Sequence, residues 1–310
     1  MTKTKTAATP KPRRRPVPIG VLLLLPSLIW STVFPFSKLV LTVIPPILLA
    51  ALRFSLGALC LTLYAIYLFG LTEFRRAWQR SWPWFLTLGI FGVFLNNLLQ
   101  NLGLNLTTAS STSLLGSIDP IFSVIFSAIF LGEALNRHKV AGLSIAFVGI
   151  YLVSTNGAWK LDWGSSLGNL LVIASALSYS IYTVASKPVL QKEQPPIVVA
   201  WATIVGAVGL VIVAAITDSA PAWSTLSTSI ILNTIYLSIV PTSVSVVAYS
   251  YLLQRVQASL ASISLFLIPV FSTAWAVLLL GEGLSWPMLA GGALIVAGVA
   301  LAVIGGRRQR

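Results

Sequence analysis

Apolar residues fall in long, nearly unbroken runs, and the polar residues collect in short gaps between them. A helix that crosses a bilayer needs roughly 20 mostly apolar residues. Ten runs meet or approach that length: 19–42, 46–69, 83–104, 108–131, 138–154, 167–189, 196–216, 229–252, 257–280 and 286–305, the fifth being the shortest. The gaps leave no room for a water-facing domain. The pattern therefore predicts an all-α integral membrane protein of ten transmembrane helices.

Composition supports this reading. Hydrophobic residues make up 56% of the chain and charged ones 9%, against about 25% charged in a typical soluble domain. Mean hydropathy is +0.90. A single soluble core could not hide so much apolar surface, so the lipid bilayer is the first predicted partner. A net charge of +13 raises the question of nucleic acid. The basic residues, however, form small groups between apolar runs, with the densest in the tail 1–18, which is suited to anionic headgroups. No nucleic-acid partner is expected. Cys60 is the only cysteine, so neither an intrachain disulfide nor a thiolate metal cluster is predicted. The first apolar run is too long for the core of a cleavable signal peptide and is read as a span.

Lys and Arg set the orientation. With a cytoplasmic N-terminus, of the 20 Lys and Arg only Lys38 and Lys160 fall on the far side, and Arg53 lies within a span. Both termini are thus expected in the cytoplasm of a cell-membrane protein, with basic tails at 1–18 and 306–310. Trp78, Trp82, Trp84, Trp159, Trp163, Trp223 and Trp286 fall near span ends, as an interfacial belt requires.

The chain also repeats itself at a spacing of about 149 residues. "LGEALNRHKVAG" at 131–142 returns as "LGEGLSWPMLAG" at 280–291. Ala109, Ser110, Ser113, Pro120, Phe122 and Ser123 return as Ala258, Ser259, Ser262, Pro269, Phe271 and Ser272. The repeats are 19–154 and 167–305. Five spans per repeat is an odd number, so the second half must be inverted relative to the first. Inverted halves around a central site are a recurrent carrier design, because each can rock against the other.

The paired "P…LGE…AG" pattern and Arg53–Phe54 in the second run resemble the EamA family of the drug/metabolite transporter superfamily. The resemblance covers about 18–304 in two copies. It implies ten helices, a central cavity walled by spans one to four and six to nine, peripheral spans five and ten, and transport of small metabolites or drugs without nucleotide hydrolysis.

Candidate chemistry lies inside the spans. Asp119 is near the middle of its run, where a charged Asp costs about 2.5–3.5 kcal/mol on insertion scales and ordinarily faces a bundle interior or watery cavity. Pro120 is expected to kink the helix and leave the Gly116 carbonyl unpaired beside it. The repeat supplies an internal comparison. Pro120 is matched by Pro269, but Asp119 by Ile268, so the acid belongs to one half only. Substrate or proton handling and a structural bond to a neighbouring helix both fit it. Arg53 enters from the far side, roughly 6 Å higher at 1.5 Å per residue. It suits an ion pair with Asp119, snorkelling outward, or recognition of an anionic group. Asn97 and Asn101 share a helical face, as do Asn96 and Gln100. Interhelical bonding and a hydrated wall both fit them. Trp30 and Tyr179 are equivalent across the repeat and could form opposed aromatic walls, with Tyr249 in the eighth span. Gly132 and Gly281 are placed to end helices, with Glu133 and Glu282 in the turns beyond them at opposite surfaces.

There is no P-loop, no metal constellation and no nucleophile–base pair, so neither an enzyme nor a cofactor is expected. One charge of each sign among amides and aromatics suits a zwitterionic small-molecule substrate, an amino acid or similar, moved by alternating access in the export direction. The alternative is efflux of lipophilic cations with Asp119 exchanging protons as the coupling ion.

Overall fold

The computed structural model describes residues 17–106, 115–155, 166–218, 226–280 and 285–307, and their secondary structure is entirely helical. The first run is α1 (Ile19–Ser31) and α2 (Val33–Val40), separated at Thr32. α3 (Pro46–Phe69) starts on Pro46 at its first turn, where a missing N–H costs nothing, and stops at Gly70, whose φ of 81° favours glycine.

The third run is longer than its hydropathy implied. α4 (Leu71–Leu88), a π-helical stretch at Gly89–Leu95 and α5 (Asn96–Leu106) form one continuous rod. The pattern left 71–82 as a connection. It continues the helix instead, with a kink at Ser81 just before Pro83. Below the apolar band it is amphipathic, burying Phe74 and Ala77 and exposing Arg75, Arg76 and Arg80.

α6 (Asp119–Leu131) and α7 (Arg137–Thr155) complete the first half of the chain. The second consists of α8 (Ser166–Leu190), α9 (Pro195–Thr217), α10 (Thr228–Ile239), a π stretch at Val240–Ser245, α11 (Val246–Arg255), α12 (Ala258–Ile263), a 3₁₀ turn at Ser264–Phe266, α13 (Leu267–Leu280) and α14 (Trp286–Arg307). Among the described residues, six continuous helices are long and apolar enough to cross a membrane. The first run falls short because its helix is interrupted at Thr32. The chain is therefore an all-α, multi-pass membrane protein. Leu63, Tyr67, Phe130 and Ile216 lie exposed on its outer surface, where lipid is their natural solvent.

Packing joins the two halves of the chain. α7 lies along α14 and α3 along α9, while α5 packs on α8 and α1 on α11. The α7–α14 contact depends on missing side chains: a Cβ on Gly142 would come within 2.5 Å of the Gly298 carbonyl, and one on Gly149 equally close to that of Gly291. Small residues let helix backbones approach in lipid, where no hydrophobic force drives association. The central core gathers Leu61, Phe85, Tyr182, Leu190, Tyr249 and Leu252 from both halves.

Candidate functional site

Pro120 does not kink α6. The helix begins at Asp119 and Pro120 occupies its first turn, with Ile118 accepting from the Ile121 and Phe122 amides. Proline fits there because its absent N–H would have had no intrahelical partner. Asp119 therefore sits at a break between helical segments rather than inside a bent helix. Ser264–Phe266 forms a comparable break ahead of Pro269 in the other half. Such breaks place polar backbone at membrane depth, which is tolerated only where protein or a cavity surrounds it.

Asp119 is 6% exposed. Ser180 on α8 donates to its Oδ1 at 2.7 Å, and Ser123, one turn along α6, donates to the same oxygen at 3.1 Å. Ser180 Oγ also lies 3.0 Å from the Asp119 carbonyl and 2.8 Å from that of Ala176. Ser180 could not be singled out from the sequence, because serine is common in this chain and nothing in the spacing pairs it with Asp119.

Arg53 stands on α3 and reaches the other half. Its Nη2 donates to Thr242 Oγ1 at 3.5 Å, and its guanidinium lies 5.7 Å from the Phe54 ring centre. Its Nε is buried with no hydrogen-bond partner. Arg53 and Asp119 do not form an ion pair; no carboxylate pairs with Arg53 among the described residues. Thr242 lies in the π stretch of the second half, and a Cβ on Gly57 would come within 2.7 Å of its methyl. π-helical turns free backbone groups and are often found at functional sites. Here hydroxyls take them up: Thr242 donates to Leu237 O, Ser243 to Ser238 O, and Ser178 to Phe91 O of the first-half π stretch.

Trp30 and Tyr179, matched across the repeat, each contact another aromatic ring. Trp30 packs on Tyr249, with ring centres 5.4 Å apart, and donates from Nε1 to Pro241 O. Tyr179 pairs with Tyr182 on its own helix at the same ring distance. Trp30 thus links the π stretch that receives Arg53 to Tyr249 in the core. The Tyr249 and Thr183 hydroxyls are buried and face each other, and beyond that they have no hydrogen-bond partner among the described residues. Buried polar groups are nearly always paired, so two hydroxyls with no partner beyond each other mark a place where water or a ligand would fit.

The amides divide in two. Asn97 and Asn101 donate to carbonyls of their own helix, Val93 O and Asn97 O. Asn96, on the other face, makes the interhelical bonds, donating to Ser175 O and Oγ at 3.1 Å, while Ser175 Oγ donates back to Asn96 O. Gly132 ends α6 in the left-handed region at φ 65°. Glu133 does not stay in that turn. It reaches across to the start of α12, where it accepts from the Ala258 and Ser259 amides. Gly281 and Glu282 lie outside the described residues. A recess of about 290 Å³ between α3 and α9, lined by Ser55, Ala58, Ile204, Ala207, Val208 and Val211 among others, is apolar and shares no residue with these groups.

Comparisons with known proteins agree with this architecture. An uncharacterized transporter of Archaeoglobus fulgidus is 31% identical over 283 residues, covering 91% of this chain and 98% of its own. A probable terminal-alkyne amino-acid exporter of Streptantibioticus cattleyicolor is 28% identical, with 90% and 92% covered. A probable amino-acid metabolite efflux pump of Salmonella typhimurium is 27% identical, with 94% and 96% covered. One solved crystal structure superimposes with a TM-score of 0.81 at 25% identity, covering 94% of this chain and 98% of its own. The EamA-like transporter family model matches residues 18–155 and again 166–304. On that double match the chain belongs to the EamA-like transporter family, and it is a membrane transporter of small molecules rather than an enzyme.

Proposed function

We propose that this protein is a secondary carrier that exports a small zwitterionic metabolite, an amino acid or close relative, by alternating access. It is built as ten spans in two inverted five-helix halves, with both termini in the cytoplasm. The observation that carries the reading is that the two intramembrane charges are not used up on each other. Among the described residues Arg53 meets Thr242 and an aromatic ring and no carboxylate, while Asp119 is held by serine hydroxyls. A zwitterion brings a carboxylate for the one and an ammonium for the other. Trp30 and Tyr249 supply apolar surface for a side chain, and the adjacent Thr183 and Tyr249 hydroxyls supply hydrogen-bonding capacity. The names of the Streptantibioticus and Salmonella relatives favour amino-acid compounds and the outward direction.

Asp119 is also the proposed proton carrier. Ser180 has one hydroxyl proton and three oxygen neighbours within 3.0 Å. A charged Asp119 accepts a hydrogen bond from that hydroxyl; a neutral one donates to Ser180 instead and frees the serine hydroxyl to donate to the Ala176 carbonyl. The same oxygens thus accommodate both protonation states by a hydroxyl rotation.

A counterflow screen in proteoliposomes, with labelled amino acids, organic cations and sugar phosphates, tests the substrate class. Saturable counterflow of amino acids is expected. Counterflow confined to lipophilic cations would replace this reading with proton-coupled drug efflux, and counterflow confined to sugar phosphates would remove both.

A further inference from the structure

Glu133 makes contacts that a turn residue has no need of. The left-handed Gly132 swings the chain at the end of α6 so that the next side chain meets the N-terminus of α12, 125 residues away. Glu133 Oε1 accepts from the Ala258 amide at 2.6 Å. Oε2 accepts from the Ser259 amide at 3.2 Å and from the Ser259 hydroxyl. Lys139, completely buried, donates to Ser259 Oγ at 2.9 Å and to Ala134 O at 3.2 Å, and lies 3.8 Å from the Glu133 carboxylate. Helix N-termini leave amides unpaired and carry partial positive charge. α12 has no side-chain cap of its own, and the other half of the chain provides one.

We propose that Glu133 is a latch that closes the basic face of the carrier and is released in each transport cycle. The inference rests on the alternating-access reading above. The repeat supports it independently, because Glu133 corresponds to Glu282, and Ala258–Ser259 to Ala109–Ser110. The same three residue types therefore recur in the sequence of the other half, but the counterpart of Lys139 is Met288, so the additional cation belongs to the Glu133 contact.

Physical chemistry distinguishes a latch of this kind from a fixed joint. Carboxylate, ammonium, hydroxyl and amides are all well hydrated when exposed, so parting them exchanges protein partners for water at small net cost. The α7–α14 contact is of the other kind. Its backbones meet at glycines with no polar exchange available, and it has no means of opening cheaply. Glu133 is a positioning residue here: it decides which face is closed and touches no substrate.

The test leaves the latch residues in place and ties their neighbours. Ala134→Cys and Gln257→Cys flank the contact, in a background where the only native cysteine is removed by Cys60→Ala. A flexible, reducible bifunctional thiosulfonate bridges the pair, and counterflow of labelled L-leucine, or of whichever substrate the screen returns, is measured before bridging, after it and after reduction. Bridging is expected to remove at least nine-tenths of counterflow, and reduction to restore it. Counterflow that survives bridging overturns the latch and leaves the carrier reading intact. Absence of saturable counterflow before bridging overturns the carrier reading and the latch with it. A second measurement needs no substrate. Ser262→Cys, buried one turn beyond Ser259, is labelled with a membrane-impermeant maleimide from the basic face. Glu133→Gln is expected to speed that labelling at least fivefold, and an unchanged rate overturns the proposal.

Discussion

Ser180 and Asp119 meet across the two halves of the chain: the hydroxyl on α8 lies 2.7 Å from the carboxyl oxygen at the start of α6. Asp119→Asn keeps the size of the side chain and an acceptor for Ser180, but it cannot titrate. The variant is expected to fold, to lose accumulation driven by an imposed pH gradient, and to retain downhill exchange. Uptake into vesicles with and without the gradient measures this. Gradient-driven uptake equal to wild type would leave Asp119 a purely structural partner of α8.

Arg53 supplies the opposite charge. Arg53→Ala should reduce transport of zwitterions by at least tenfold, and Arg53→Lys by less, because lysine keeps the charge but not the fork of donors. Cationic substrates should lose little in either variant. Equal losses for cations and zwitterions, in variants that fold, would assign Arg53 to packing against Thr242 instead.

A second polar joint between the halves lies in the Arg80–Glu193 contact. Glu193, with a side chain 2% exposed, accepts from Arg80 Nε and Nη2 and from Ser81 Oγ, while Arg80 also reaches Glu73. Burial alone would push the Glu193 carboxyl up; the hydrogen bonds from Arg80 and Ser81 and the Arg80 charge outweigh it and hold the pKa below the ordinary 4.5. A carboxyl lowered in the folded state stabilises fully above its unfolded pKa, and that contribution is lost as pH falls through the folded value. The melting temperature of the detergent-purified protein should therefore fall as pH drops below about 4.5. Glu193→Gln should lower it near pH 7 and flatten the acid slope. An unchanged slope would show that the contact contributes nothing to stability.

At the α7–α14 contact a Cβ on Gly298 would come within 2.5 Å of the Gly142 carbonyl, whereas one on Gly292 of the same helix meets nothing within 4 Å. Overpacking of this kind costs about 1–3 kcal/mol. Gly298→Val should lower the melting temperature by several degrees, and Gly292→Ala should leave it within a degree or raise it. Equal effects would mean that the helices part without cost.

Orientation is open to a direct measurement. Reporter fusions at both termini should report a cytoplasmic location, and one in the 156–164 connection should report the far side, because the basic residues collect on one face. An external C-terminus would break the five-plus-five inversion.

The sequence by itself determined the class of the protein. Ten apolar runs and 9% charge leave a multi-pass helical membrane protein as the physical solution, and residues repeated 149 apart mark a duplicated chain. It also singled out Asp119 and Arg53, because an ion in an apolar run is conspicuous. Tertiary structure decided their partners. Ser180 and Thr242 come from segments distant in the chain, and hydroxyls are too frequent here for spacing to select among them. Helix interruptions were likewise hidden. A proline reads the same in sequence whether it kinks a helix or starts one, and only the Asp119 break makes it a start. Glu133 shows the same division: its motif indicated a helix end, but the amides it caps belong to the other half, brought to it by packing alone.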